Sequence, residues 1–117
     1  MAQIKYNLGD LGTDKYSTDE IKIGEWINGK PIYRKVIVID NPFSGMTFSI
    51  DNIDEPINVN WTQGYANTGV YFSYGCDGAS YSLIHFDTIS KKFVITLQGG
   101  FAGKIVAIVE YTKTIDA

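Results

Sequence analysis

Runs of alternating apolar and polar residues recur at short intervals along this chain, and most of them are bounded by Gly, Pro, Asn or Asp. Clear examples cover residues 46–51, 57–62 and 92–97. Successive side chains of an extended strand point to opposite faces of a sheet, so a period of two indicates a strand with one buried face. Short turns between such strands are typical of antiparallel sheets. The sequence therefore predicts an all-β fold: an antiparallel, jelly-roll-like β-sandwich of about eight strands with no substantial helix.

The clearest pair of strands flanks Asn28 and Gly29 and covers residues 21–27 and 30–39. An Asn-Gly pair tolerates the positive φ that a type I′ turn requires at both central positions, so we predict a tight hairpin with this two-residue turn. Two glycine-rich segments predict further turns. Residues 75–78 separate a strand over 70–74 from one over 80–87, and residues 99–103 lead into a last strand over 104–112.

Two strands, over residues 33–39 and 105–111, carry apolar side chains on both faces. A strand of an antiparallel sheet has this pattern when its second face is also covered, by another sheet layer or by another copy of the chain. A central strand beneath a long loop would give the same pattern, and the sequence does not choose between these arrangements. On the first interpretation the second faces form an oligomer interface that contains Val36, Val38, Val106 and Ile108.

The length of 117 residues suits one domain with a substantial core. We expect residues 1–15 to form an N-terminal lead-in arm and residues 16–117 to form a single β-sandwich domain. The one cysteine, Cys76, cannot form an internal disulfide, so the fold does not depend on an oxidising compartment.

The formal net charge is -3, and basic residues form no stripe that could neutralise a row of phosphates. Nucleic acid is therefore not an expected partner. No apolar run approaches the roughly 18 residues of a membrane helix, so membrane insertion is not expected either. Residues 1–10 lack the apolar core of a secretion signal, which indicates synthesis in the cytoplasm without a signal peptide.

Groups that could support catalysis are scarce, since His85 is the only histidine and Cys76 the only thiol. Residues 99–105 resemble a phosphate loop, but the glycine spacing is one residue short and the Ser or Thr after Lys104 is missing. Oxygen-rich residues 51–55 could bind Ca²⁺, although such residues more often form turns. We expect a protein that is not an enzyme and has no catalytic residue, metal or cofactor, while a triad assembled from distant residues stays open.

Two stretches, residues 61–68 and 74–81, combine aromatic rings with amide, carboxylate and hydroxyl groups. A sugar-binding surface uses this combination because rings stack on the C–H faces of sugars while amides and carboxylates pair with hydroxyls. The alternative is that aromatic residues at strand ends belong to the core, and Trp61 continues the apolar face of Ile57 and Val59. The predicted ligand-binding residues are Trp61, Gln63, Tyr65, Asn67, Tyr74, Asp77 and Tyr81.

Both ends of the domain resemble a known family. Residues 16–20 read Y-S-T-D-E, residues 23–36 read I-G-E-W-I-N-G-K-P-I-Y-R-K-V and residues 109–116 read V-E-Y-T-K-T-I-D. These segments resemble the Y-S-T-x-E, G-x-W-x-[DN]-G-K-P-[IL]-Y-x-K and [VL]-x-Y-T-K-T-x-D motifs of a terminal domain in bacteriophage and prophage tail-fibre and baseplate proteins. Together they cover about a third of the chain, and residues 40–104 match no motif of the family.

The resemblance implies a virion component at the distal part of a tail fibre, commonly a homotrimer, that contacts other tail or baseplate proteins and takes part in host attachment. Trp26 and Tyr33, the matched aromatics, are expected to be packing residues. We therefore expect a tail-fibre tip domain that recognises a polysaccharide of the bacterial surface. The alternative is a structural cap or baseplate joint without a ligand, and a third possibility is a small polysaccharide hydrolase.

Overall fold

A computed structural model describes residues 15–65, 69–72, 76–77 and 80–115. Within these residues the chain forms nine strands and no helix, which confirms the predicted all-β class. The sequence predicted about eight strands, and the additional one is a two-residue strand inside the predicted turn 75–78. The strands are β1 (Ile21–Glu25), β2 (Pro31–Ile39), β3 (Thr47–Phe48), β4 (Ile53–Tyr65), β5 (Gly69–Phe72), β6 (Cys76–Asp77), β7 (Ser80–Asp87), β8 (Lys92–Gln98) and β9 (Phe101–Lys113).

The strands form two antiparallel sheets arranged as a sandwich. One sheet has five strands in the order β1-β2-β9-β4-β5, and the other has four in the order β3-β8-β7-β6. The chain passes between the sheets four times, because β2 leads to β3, β3 to β4, β5 to β6 and β8 to β9. The last strand, β9, pairs with β2 on one side and β4 on the other, so it lies in the middle of the larger sheet.

The core lies between the two sheets and is built from alternate residues of their strands. The rings of Phe48 and Phe86 pack on Phe93 at centroid distances of 4.7 and 4.9 Å. On β9 the side chains of residues 105, 107, 109 and 111 are buried and alternate with half-buried ones, so only one of the two apolar faces that the sequence indicated lies in the core of the protomer. The buried core residues are Ile39, Ile50, Ile53, Trp61, Ile84, Phe93, Ile95, Ile105, Ala107, Val109 and Tyr111.

The β1–β2 hairpin is confirmed, but the predicted type I′ turn is wrong. The N–H of Trp26 donates to the carbonyl of Lys30 at 2.8 Å, so the loop contains the three residues 27–29. Only Gly29 in this loop has a positive φ, 87°. A three-residue loop of this kind needs one left-handed residue rather than two. The amide oxygen of Asn28 instead accepts a hydrogen bond from the N–H of Lys30 at 3.0 Å.

The last turn is also shorter than the sequence predicted. Strand β9 begins at Phe101, inside the expected turn 99–103, so only Gly99 and Gly100 connect it to β8. Phe101 is buried, and its ring meets that of Tyr71 edge-on at a centroid distance of 5.2 Å. Burial of this ring favours an extended backbone over the turn that the glycines alone indicate.

Replacing Gly99 by Ala is expected to destabilise the domain. Gly99 has a φ of 76°, and an added Cβ would lie 2.0 Å from the hydroxyl oxygen of Ser80. The left-handed backbone alone costs an alanine about 1–2 kcal/mol, and the contact adds to this. Gly69→Ala is the matched control, because a Cβ there meets no atom within 4 Å. Urea unfolding should give a lower midpoint for Gly99→Ala only, and equal midpoints would contradict the strain at Gly99.

Candidate functional site

Several strand ends meet at one end of the sandwich. Tyr65, the last residue of β4, lies opposite Gly69 of β5 and Phe101 of β9. The short turn after β8 joins Gln98 to Phe101, and Gln98 lies opposite Tyr81 of β7. The antiparallel register therefore places the ends of β4 and β8 beside the starts of β5, β7 and β9.

The β6–β7 pair joins the same end. Asp77 of β6 lies opposite Ser80, the first residue of β7, and Cys76 lies opposite Tyr81. Three predicted ligand-binding residues, Tyr65, Asp77 and Tyr81, thus occupy neighbouring strand ends, which we call the ligand end. Asn67, Tyr74 and the side chains of Tyr65 and Asp77 lie outside the described residues. The two stretches selected from the sequence are therefore brought together by the strand register.

Trp61 and Gln63, the other two predicted ligand-binding residues, lie in the interior of the protomer. The indole N–H of Trp61 donates to the hydroxyl of Ser82 on the opposite sheet at 3.0 Å. The amide nitrogen of Gln63 donates to the carbonyl of Gly103 at 3.1 Å. Both side chains share the inward face of β4, as the packing alternative for Trp61 expected. Tyr81 is half-buried at the start of β7.

The backbones of β4 and β9 approach each other closely next to the ligand end. A Cβ added to Gly103 would lie 2.7 Å from the Cα of Gly64, so β9 and β4 make their contact here through two glycines. The register between the strands also shifts between Gln63 and Tyr65. Sequence reasoning missed this feature, although a glycine inside a strand is a recognised signal of close backbone approach or a bulge. The glycine pair therefore allows the close approach of β4 and β9 next to Tyr65.

The second predicted group of residues forms a patch on the outer face of the five-stranded sheet. Val36 lies opposite Ile108, and Val38 lies opposite Val106, with all four side chains on the side away from the other sheet. Val38 is 45% exposed, and the other three are half-buried. We call these four residues the outer patch. Both strands are internal to their sheet.

Uncharged side chains continue this surface on β4. Asn60 lies opposite Ile108, and Thr62 lies opposite Val106, so the patch is bordered by amide and hydroxyl groups. At the end of the patch nearest the β1–β2 hairpin, the guanidinium of Arg34 pairs with the carboxylate of Glu110 at 2.8 Å. The ring of Tyr16 lies over the same guanidinium, 4.4 Å from its carbon. The charges at this end of the patch therefore neutralise one another, whereas at its other end the exposed Asp40 follows Val38 and the exposed Lys104 precedes Val106.

Tyr33 and Trp26, which the resemblance marks as packing residues, lie away from the outer patch. Tyr33 faces inward and stacks on Tyr111 with ring centroids 6.1 Å apart, while the ammonium of Lys113 lies 4.8 Å from the Tyr33 ring. Trp26 lies at the β1–β2 turn and is partly exposed. The structure thus joins four of the six predicted packing or interface residues on one surface.

Charged residues gather at the end of the sandwich opposite the ligand end. The ammonium of Lys30 bonds to the carboxylate of Asp54 at 2.8 Å, and this hydrogen bond, with smaller contributions from the charges of Lys30 and Lys91, lowers the pKa of Asp54. Burial, together with a hydrogen bond to the carboxylate of Glu20, raises the pKa of Tyr111 well above its usual value. Lys30 thus pairs with Asp54 and Tyr111 with Glu20, and both contacts link separate segments of the fold.

The oxygen-rich residues 51–55 form a turn followed by the start of β4, with Asn52 at a φ of 62°. Among residues 15–65, 69–72, 76–77 and 80–115, no three His, Cys, Asp or Glu side chains are grouped so that they could hold a metal ion. The same residues contain no helix long and apolar enough to cross a membrane. His85 is exposed in the middle of β7, away from the ligand end.

No family model, curated protein or solved structure matches this chain.

Proposed function

We propose that this domain is a host-attachment domain of a bacteriophage tail fibre. It recognises a polysaccharide of the bacterial surface, as one of three identical copies in the virion. The observation that carries the proposal is the meeting of Tyr65, Asp77 and Tyr81 at the ligand end, because these residues come from two stretches selected for their sugar-binding chemistry. The motifs in residues 16–36 and 109–116 support the tail-fibre assignment.

The chemistry of the ligand end suits a sugar. Tyrosine rings stack on the C–H faces of pyranoses, and a carboxylate such as that of Asp77 accepts hydrogen bonds from pairs of hydroxyls. Strand ends and turns give a shallow site, which binds a single sugar weakly. Several copies on one fibre raise the overall strength without any new contact. A repetitive bacterial polysaccharide is the kind of ligand that allows this gain.

The outer patch supports assembly of identical copies. Val36, Val38, Val106 and Ile108 form an apolar surface with uncharged side chains beside it on β4, and removing such a surface from water lowers the free energy. Three copies around an axis cover this surface on every protomer. Binding sites at one end of each copy then face the same direction.

A structural cap or baseplate joint without a ligand is the second candidate. The interior positions of Trp61 and Gln63 favour it, since two of the seven predicted ligand-binding side chains serve packing in the protomer. On this alternative the outer patch performs the whole function, and the ligand end has no partner.

Binding to host cells or to purified surface polysaccharide distinguishes the candidates. We expect saturable binding by the wild-type protein and a loss of about tenfold or more in affinity for Asp77→Ala, because a hydrogen bond to a charged group contributes about 1.5–3 kcal/mol. Tyr81→Ala should weaken binding through the loss of its ring. His85→Ala is the matched control, since His85 is exposed on the same strand as Tyr81 but away from the ligand end.

Thermal unfolding of each variant separates loss of the ligand contact from loss of the fold. Absence of saturable binding by the wild-type protein would favour the cap. An equal loss for His85→Ala would place the site elsewhere on the domain. Release of sugar products from the polysaccharide would point instead to a hydrolase.

A further inference from the structure

The outer patch continues a part of the outer face that the chain itself already covers. Arg34 projects from the same face of β2 as Val36 and Val38, which follow it along the strand. It is only 9% exposed. The ring of Tyr16 lies over its guanidinium, and the carbonyl of Lys15 accepts a hydrogen bond from the same group at 3.0 Å. The segment that precedes β1 therefore contacts the outer face next to the outer patch.

A backbone contact fixes this segment beside the patch. The carbonyl of Ser17 accepts a hydrogen bond from the backbone N–H of Val36 at 2.8 Å. Two residues earlier, the chain has reached the guanidinium of Arg34, which extends to the carboxylate of Glu110 on β9 at 2.8 Å. The residues before Lys15 therefore start beside this ion pair, at one end of the outer patch.

The sequence before Lys15 contains a short run with one apolar face. Residues 4–8, which lie outside the described residues, read I-K-Y-N-L, so three apolar side chains alternate with Lys5 and Asn7. A period of two predicts an extended segment with one apolar and one polar face. Placing that apolar face against another apolar surface lowers the free energy. The outer patch is such a surface, and it lies beside the point where the segment enters.

The connection between this run and Lys15 is long enough for the contact. Residues 9–14 separate Leu8 from Lys15, and six residues of extended chain span up to about 20 Å. On β2, Val38 lies four residues beyond Arg34, a distance of about 13 Å along the strand. The run can therefore reach both ends of the outer patch of its own chain.

The charges at the far end of the patch do not oppose the contact. Asp40 and Lys104 are exposed there, and their charges have opposite signs. Lys5 belongs to the polar face of the run, together with Asn7. The apolar face can therefore cover the patch while the polar face stays in water.

We infer that residues 4–8 form a strap that covers the outer patch of the same chain and competes with other copies for it. The competition rests on the assembly proposed above, whereas the contact does not. A segment joined to its site by a short connection acts at an effective concentration in the millimolar range, so the strap closes on its own patch first. Assembly then requires the strap to leave, and a closed strap lowers the apparent affinity between copies.

Sedimentation velocity of two full-length double variants tests the competition. Ile4→Ser with Leu8→Ser removes the apolar face of the strap. We expect it to lower the concentration of half-maximal assembly by about tenfold or more, because each strap that is closed about nine-tenths of the time must open before its copy assembles. Lys5→Ser with Asn7→Ser is the matched control. It changes the opposite face of the same run and should assemble like the wild type.

Methyl NMR below the assembly concentration tests the contact itself. Nuclear Overhauser effects should connect the methyl groups of Ile4 or Leu8 with those of Val38 or Val106. In a mixture of differently labelled chains, these signals should arise within chains and not between them. The serine variant of Ile4 and Leu8 should shift the methyl signals of Val38 and Val106, and the control variant should leave them in place.

Several results would overturn the inference. Absence of the methyl contacts would show that the run does not cover the patch, and contacts only between chains would assign it to a neighbouring copy. Weaker assembly of Ile4→Ser with Leu8→Ser would make the run part of the interface. Equal changes in both double variants would point to a general effect of the substitutions. If no form assembles at any concentration, the proposed trimer and the competition are both overturned, whereas methyl contacts within one chain would still support the strap.

Discussion

Replacing Phe93 by Ala is expected to destabilise the domain by about 3–5 kcal/mol, a large part of the stability of a domain of this size. Phe93 is completely buried, and its ring packs against Phe48 of β3 and Phe86 of β7. Strand β3 has only two residues, both of which pair with β8. Loss of the ring therefore removes the packing that holds this short edge strand on the smaller sheet.

Phe43→Ala is the control, because it removes the same side chain from an exposed position. Unfolding in urea, followed by tyrosine and tryptophan fluorescence, should show a large fall in midpoint for Phe93→Ala and a change within about 0.5 kcal/mol for Phe43→Ala. Similar midpoints for the two variants would mean that the core does not centre on Phe93.

The alternation of residues predicted individual strands well where one face is buried. The strand predicted over residues 80–87 is found as Ser80–Asp87, and β8 differs from its prediction by a single residue. Alternation is a local property that reports the burial of each residue directly. The same alternation could have predicted that Gln63 is buried, since it shares a strand face with Val59 and Trp61. Its polar amide suggested a ligand contact instead.

Beyond the β1–β2 hairpin, the sequence could not predict which strands pair. Strand β9 lies between β2 and β4, although its paired residues are 66 to 78 positions from their partners in β2 and 36 to 60 positions from their partners in β4. Pairing over such distances depends on the packing of the whole domain, and no local pattern encodes it. The ligand end depends on the same pairings, because Tyr65 meets Phe101 only once β4 and β9 are in register. The chemistry of the site could therefore be predicted, but not its location.

The two ends and the outer face of the sandwich have different physical characters. The ligand end holds residues that combine rings with polar groups, the opposite end holds paired charges, and the outer face holds an apolar patch beside the uncharged side chains of β4. Assembly through the outer face leaves both ends free. The proposed attachment function and the proposed assembly can thus be tested separately with variants of distant residues.

Replacing Val38 by Asp is expected to convert a trimer of the wild-type protein into monomers. Val38 lies in the outer patch beside Val106, and an unpaired carboxylate covered there would cost several kcal/mol. A cost of about 3 kcal/mol at each interface raises the dissociation constant by on the order of a hundredfold. The fold should survive, because Val38 is 45% exposed in the protomer and its new charge is hydrated once the copies separate.

Mass measurement by sedimentation velocity over a range of concentrations tests this expectation. Ile89→Asp introduces the same charge at an even more exposed position outside the outer patch, so it should leave the mass of the assembly unchanged. A wild-type protein that stays monomeric at every concentration would contradict assembly through the outer patch, and equal dissociation by both variants would point to a general effect of charge. Loss of the trimer in Val38→Asp alone would locate the interface on β2 and β9, because only there does the added carboxylate replace an apolar contact.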